Sequence, residues 1–249
     1  MRDLSEFKLP VSEIYYCLQG EGPFLGIPSI LVRTEGCNLR CKFCDTKYAA
    51  YGMKKRVKPM SSFGIMNSIR TLSSENITNN IILTGGEPLV HKDSEQFIRR
   101  LLSEGYHVTV ETNGTVPLSK SFLRILPRFK GKIYFAVSPK LKSSGFRSGR
   151  NSIRHNTLRI NFKALETFSS NGEFSFFKFV VKSKKDTPEI FTLQCKLGIP
   201  NSDMFLMPEG QTRREIQKTR KITYELCLEF GLRYSPRLQV DIYGTKRKV

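Results

Sequence analysis

The sequence predicts an α/β fold built on a mostly parallel sheet, and three observations lead there. Short β-rich apolar runs alternate with helix-like stretches along most of the chain. Its 249 residues suit one domain with a sizeable core. No internal repeat or low-complexity linker divides them, so 1–249 reads as a single unit.

The elements follow in order. Strands are expected at 30–32, 81–83, 107–110, 132–137, 174–181 and 204–207, where aliphatic and aromatic residues cluster between turn-forming ones. Helices are expected near 61–73, 94–104, 119–126, 188–197 and 212–230. The last places Ile216, Ile222, Leu226 and Phe230 near helical spacing and stops at Gly231. Segment 142–156, rich in Ser, Gly, Arg and Asn, reads as a flexible loop.

Composition limits what the chain does. No run of 18 apolar residues offers a membrane span, and the opening MRDLSEFKLP has no apolar leader region, so a cytoplasmic location is expected. There thiols stay reduced, and clustered cysteines read as metal-binding or catalytic before they read as disulfides. Lys and Arg number 41 against 22 Asp and Glu, a net charge of +19. The basic residues are dispersed: Lys54-Lys55-Arg56-Lys58, 147–154, 182–185, Arg213-Arg214 and 246–248. Dispersed charge fits a solvated surface better than a nucleic-acid site; it admits such a partner without requiring one.

Three marked stretches follow predicted strands, where parallel sheets gather their ligands. The cysteine loop at 36–46 follows the strand at 30–32, TGGEP (84–88) the one at 81–83, and SPK (138–140) the one at 132–137. They are expected at one rim.

Cys37, Cys41 and Cys44 form a CxxxCxxC, while Cys17, Cys195 and Cys227 stand alone and His91, His107 and His155 lie far along the chain. Structural zinc wants four protein ligands, commonly as two pairs, and no second pair exists. Three thiolates on a short loop can hold three irons of a cubane cluster and leave the fourth open to another ligand. A zinc site completed from a distance remains the alternative. In TGGEP two glycines permit close backbone approach, and Glu87 can accept a hydrogen bond from an ammonium group.

The CxxxCxxC is the signature of the radical S-adenosylmethionine superfamily, and TGGEP resembles its glycine-rich motif. YCLQGEGPFLGIPSILVRTEGCNLRCKFCDTKYA (16–49) resembles one family within it, the 7-carboxy-7-deazaguanine synthases: a QGEG element, an arginine before the cluster, and Cys-Asp-Thr at its end. TGGEP, ETNGT (111–115), VSPK (137–140), FKFVV (177–181), LMPEG (206–210) and RLQVDIYGTKRKV continue the match in family order over nearly the whole length.

The resemblance implies a partial, trimmed (β/α) TIM-type barrel. It implies rearrangement of 6-carboxy-5,6,7,8-tetrahydropterin to 7-carboxy-7-deazaguanine with loss of ammonia, in queuosine-type precursor synthesis. Cys37, Cys41 and Cys44 would ligate a [4Fe-4S] cluster. Phe43, Cys44, Asp45, Gly86, Glu87, Ser138, Pro139 and Lys140, with Lys178 less firmly, would contact S-adenosylmethionine. Leu18, Gln19, Gly20, Arg33 and Thr84 would contact the substrate, and the Thr46 hydroxyl would meet Mg2+. A homodimer and a flavodoxin- or ferredoxin-type electron donor are implied as well.

These roles suit the residue types. Arg33 can present a planar two-donor fork to a carboxylate, and Gln19 can both donate and accept. Magnesium prefers oxygen ligands and keeps waters, so one threonine oxygen plus substrate oxygens is a sensible shell. No general base is named, because radical chemistry depends on geometry and water exclusion. Taken singly, Arg33 is also a surface charge, Gln19 and Ser138 turn residues, and Thr46 a helix cap. Phe43 stands where the family often has tryptophan, and the basic segment 142–154 is longer than in compact relatives. Two rival readings are a glycyl-radical activase, which lacks the QGEG–Arg33–Thr46 set, and a zinc-stapled RNA-binding module, which leaves TGGEP and SPK unexplained.

Overall fold

Alternation within the strands decides the architecture. The computed structural model describes residues 6–51, 57–146 and 148–248. Ten strands are present among them: β1 (Lys8–Leu9), β2 (Val11–Leu18), β3 (Pro28–Thr34), β4 (Met60–Ser61), β5 (Asn80–Gly85), β6 (His107–Thr112), β7 (Ile133–Val137), β8 (Ser175–Val181), β9 (Met204–Pro208) and β10 (Arg233–Tyr234). Eight form one sheet in the order β10-β9-β8-β7-β6-β5-β3-β2, parallel throughout except for β2 against β3; β1 and β4 make a small antiparallel ribbon.

Along the central strands one set of residues is apolar and faces the helices: Ile30 and Val32, Ile81 and Leu83, Val108 and Val110, Ile133, Phe135 and Val137, Phe177 and Phe179 all join one core. The alternate set, Leu31 and Arg33, Ile82 and Thr84, Glu111, Ala136, Lys178 and Val180, lines a single cavity. Seven strands, β2 to β9 without β4, contribute to that one hollow, so the sheet is curled; β2 and β10 end it unpaired with each other. This is the expected partial barrel.

Helices cover the outside: α1 (Lys47–Ala50), α2 (Ser62–Asn76), α3 (Ser94–Ser103), α4 (Lys120–Leu123), α5 (Arg150–Leu158), α6 (Phe162–Ser169), α7 (Thr187–Leu197), α8 (Arg213–Phe230) and α9 (Leu238–Tyr243). Helix α3 buries Phe97, Ile98, Leu101 and Leu102, a stripe at helical spacing. Helix α8 opens with a reciprocal cap between Thr212 and Glu215 and ends at Gly231, whose φ of 65° lies in the left-handed region. No helix among the described residues is long and apolar enough to cross a membrane.

Two expectations need correction. Segment 142–156 is not a plain loop: a 3-10 turn at Lys142–Ser144 leads to α5, and Ser144, Ser152 and His155 are buried. Its polar composition hid a helix whose inner face packs on the cysteine loop. Strand β2 was not foreseen, because VSEIYYCL mixes charged and aromatic residues that become legible only once the barrel interior is known to be polar. Of the basic runs, Lys54, Lys55, Arg56 and Arg147 lie outside the described residues; Lys182, Lys184, Lys185, Arg214, Lys246 and Lys248 are exposed, as solvated charge should be, while Arg213 is bonded to the Asp241 and Ile242 carbonyls and Arg247 to Glu13.

Candidate active site

The cavity holds about 260 Å³. Cys37, Cys41 and Cys44 occupy its rim, on the loop that leaves the carboxyl end of β3. That loop is rooted by backbone bonds from Glu35 N to Pro10 O (2.7 Å) and from Gly36 N to Ala49 O (2.7 Å). Burial pushes the thiols up, Cys37 to about 11 and Cys41 to about 12, and Cys44 rises for the same reason, helped by Asp45. No three His, Cys, Asp or Glu side chains among the described residues converge on one metal ion. Thiolates that each bind a different iron need no such convergence, so three thiols spread on one loop fit a polynuclear cluster.

TGGEP packs directly on this loop. Gly86 N donates to Thr34 O (3.1 Å) and Glu87 N to Gly36 O (2.8 Å). A Cβ on Gly86 would lie 2.2 Å from Gly36 O and 2.9 Å from Cys37 Cβ, so only glycine permits the approach. Glu87, an expected cofactor contact, is bonded within the protein. Its carboxylate is fully buried, does not line the cavity, and accepts bonds from Leu89 N (3.1 Å), Thr112 Oγ1 (2.8 Å) and Asn113 N (2.6 Å). Burial raises its pKa against those three donors. It buckles TGGEP to ETNGT. Asn113 in turn reaches Asn38 Oδ1 (3.1 Å) and the Cys37 sulfur (3.9 Å), and Asn38 donates to Thr115 Oγ1 (2.7 Å). ETNGT therefore props the loop from inside, a role its sequence alone did not suggest.

The remaining predicted cofactor contacts divide. Phe43, Asp45, Gly86, Ser138 and Lys140 line the rim, with Lys140 Nζ donating to Ser138 Oγ (2.8 Å). Pro139 is buried without lining the cavity. Lys178 lines the wall, but its ammonium is paired with Glu21. Glu21 also accepts from Arg237 Nε (3.2 Å) and Gln239 Nε2 (2.9 Å), and Arg237 continues to Asp45 and Gly210 O. Burial opposes the Glu21 charge, but Lys178 and Arg237 outweigh it and hold the carboxyl down to about 2. This ionic chain from β8 to the cysteine loop was missed, although Glu21, Arg237 and Gln239 all lie in stretches already singled out.

The predicted substrate contacts come from both ends of the barrel. Arg33 and Thr84 are paired in register on β3 and β5, so their side chains stand side by side. Arg33 Nε donates to Glu13 Oε2 (2.8 Å), and Glu13 also takes Tyr48 Oη (3.0 Å) and Arg247. Burial opposes the Glu13 charge, yet Arg247 and Arg33 keep its pKa lowered. Glu13 thus orients Arg33 from behind, and no sequence signal marked it. Because β2 runs antiparallel, Leu18, Gln19 and Gly20 arrive at the opposite end from the rim and form the floor. Gln19 is buried and accepts from Glu21 N (3.2 Å), Leu18 is exposed, and Gly20 abuts Gln239.

Comparison with known proteins matches this geometry. A Radical SAM superfamily model covers residues 31–183. A 7-carboxy-7-deazaguanine synthase of Halobacterium salinarum is 35% identical over 95% of this chain and 91% of its own. The chain belongs to the 7-carboxy-7-deazaguanine synthase family. The synthase of Thermoplasma acidophilum is 36% identical over 94% of this chain and 97% of that one. The solved structure of QueE from Escherichia coli aligns with a TM-score of 0.66 at 23% identity, covering 93% and 94% of the two chains. SuiB of Streptococcus suis, solved with S-adenosylmethionine, shares the fold at TM-score 0.54 and 15% identity over 81% of this chain. As a radical SAM family member the protein uses a [4Fe-4S] cluster and S-adenosylmethionine.

Proposed function

We propose that the protein converts 6-carboxy-5,6,7,8-tetrahydropterin to 7-carboxy-7-deazaguanine with loss of ammonia. The observation that carries this is a single cavity walled by the three-cysteine loop at one end and by Gln19 at the other, with Arg33 and Thr84 between. When bound, the cluster and S-adenosylmethionine would supply radical chemistry that no side chain provides. The chain's own residues bind, orient and exclude water. Arg33, held at Nε by Glu13, offers its terminal nitrogens to the substrate carboxylate. Gln19 and the Thr84 hydroxyl meet the polar edge of the ring system, and the floor keeps it below the rim. A flavodoxin- or ferredoxin-type donor would reduce the cluster, and exposed Lys42 on the cysteine loop supports an acidic partner. Anaerobic turnover tests the reading: the pterin should be consumed with equimolar ammonia release, and consumption without ammonia would defeat it.

Magnesium belongs to the same proposal. Thr46 takes the cap position of α1, yet its side chain makes no capping bond, so its hydroxyl is not spent on the helix. It lines the cavity 3.8 Å from Cys44 Sγ, where an oxygen ligand could join substrate oxygens around a hard cation. Thr46→Val keeps the volume and removes the hydroxyl. Turnover should then fall roughly tenfold or more and demand more Mg2+, as loss of one metal ligand implies. Equal activity at equal Mg2+ would show that the hydroxyl has no metal role.

A further inference from the structure

The basic segment after SPK has no part in the reading above, yet it is bonded to the cysteine loop at two points. Lys42 N donates to Ser144 O (2.8 Å), and Arg40 N donates to His155 Nδ1 (3.3 Å). These are the two amides on either side of Cys41. Both find their partners in the segment from Leu141 to Arg159, and neither is used within the loop itself.

The bonding behind them has one consistent direction. A His155 Nδ1 that accepts from Arg40 must carry its proton on Nε2. Nε2 lies 2.8 Å from Ser144 Oγ, and that hydroxyl donates onward to Leu141 O (2.6 Å). Every donor has one acceptor. His155 and Ser144 are fully buried, so each bond is shielded from water. The segment is itself anchored: Arg159 Nη1 donates to Lys140 O (2.9 Å) and Glu189 Oε1 (2.6 Å), and Ser152 Oγ to Phe146 O (2.6 Å). Gly145 lets the turn close on α5, since a Cβ there would sit 2.9 Å from Asn156 Oδ1.

We propose that the turn Leu141–Ser144 and helix α5 up to Arg159 form a clamp that presets Cys41 for cluster binding, with His155 as the positioning residue. The inference rests on the radical SAM reading of the cysteine loop. A loop that must offer three thiols at set separations loses conformational entropy when the cluster arrives, and a prior clamp removes part of that loss. Cys37 is held by Asn113 and by Leu39 N (3.4 Å), and the Cys41 carbonyl accepts from Cys44 N (3.3 Å) and Tyr51 Oη (3.1 Å), whereas the two amides that flank Cys41 are bonded to Ser144 and His155.

The test compares wild type, His155→Phe and His155→Asn as full-length proteins. Phenylalanine fills the space without either ring nitrogen; asparagine places an acceptor where Nδ1 stands. In iron-free protein, pulse alkylation should be roughly tenfold faster at Cys41 in His155→Phe, about the value of one buried hydrogen bond, and near wild type in His155→Asn. Cys227, buried in α8, should react at one rate in all three. In reconstituted protein a ferrous chelator should strip iron in the same order. The clamp is overturned if His155→Phe leaves Cys41 alkylation unchanged, if Cys41 and Cys227 accelerate together, or if asparagine behaves as phenylalanine. Wild type that takes up no iron would defeat the cluster reading instead, and the alkylation pattern would still decide the clamp.

Discussion

Cys41→Ala, Cys37→Ala and Cys44→Ala are each expected to abolish the four-iron cluster and all turnover with it. Three thiols are the smallest set that holds a cubane with one open iron, and among the described residues no fourth cysteine or histidine lines the cavity at the rim. Cys17 lines the cavity too, but β2 runs antiparallel and pairs it with Ser29, near the end of β3 opposite the rim. Burial pushes that thiol to about 12. Cys195 is exposed and Cys227 lies on the buried face of α8. Alanine at any of these three should leave iron content at wild-type level. Iron and sulfide analysis of the anaerobically reconstituted proteins reads the result, and full cluster content in Cys41→Ala would remove the assignment.

The second large effect concerns Arg33. Truncation to alanine leaves an anionic substrate without its fork, a loss of roughly 2–4 kcal/mol for a desolvated pair, or about 30- to 1000-fold in kcat/KM. The structure adds a condition. Glu13 is buried and takes Arg33 Nε, so Arg33→Ala also removes one of its partners. Arg247 and Tyr48 remain to hold that carboxylate, which limits the structural damage. Glu13→Gln keeps the hydrogen-bond acceptor and the cavity shape while loosening the orientation of Arg33; a smaller fall, mainly in KM, is expected there. Cluster content and S-adenosylmethionine binding should survive in both variants. Normal turnover of Arg33→Ala would show that the guanidinium does not meet substrate.

What the sequence made legible was local chemistry and period. The strands at 81–83, 107–110 and 132–137 stand out because their outward residues, Ile81, Val108 and Phe135, form the core and set an apolar rhythm. The CxxxCxxC is legible because cluster ligation needs its residues close together in the chain. Illegible features depend on distant partners. Arg237 meets Asp45 across 192 residues and Lys178 meets Glu21 across 157, so no spacing rule links them. A carboxylate after two glycines invites a ligand, but the bonds Glu87 makes to Thr112 and Asn113 come from the next strand and are not legible from TGGEP alone. Segment 142–156 misled for the opposite reason. Its Ser, Gly and Asn content is that of a loop, and the burial of His155 that makes it a helix comes from the cysteine loop more than a hundred residues earlier.

The central claim is that one cavity joins radical generation at the rim to ring contraction of a pterin above the Gln19 floor. The most direct measurement is mass analysis of an anaerobic reaction holding reconstituted protein, S-adenosylmethionine, Mg2+, a reductant and 6-carboxytetrahydropterin. The account predicts 7-carboxy-7-deazaguanine in the wild-type reaction and none with Cys41→Ala. Cofactor cleavage to 5′-deoxyadenosine with the pterin recovered unchanged would contradict it.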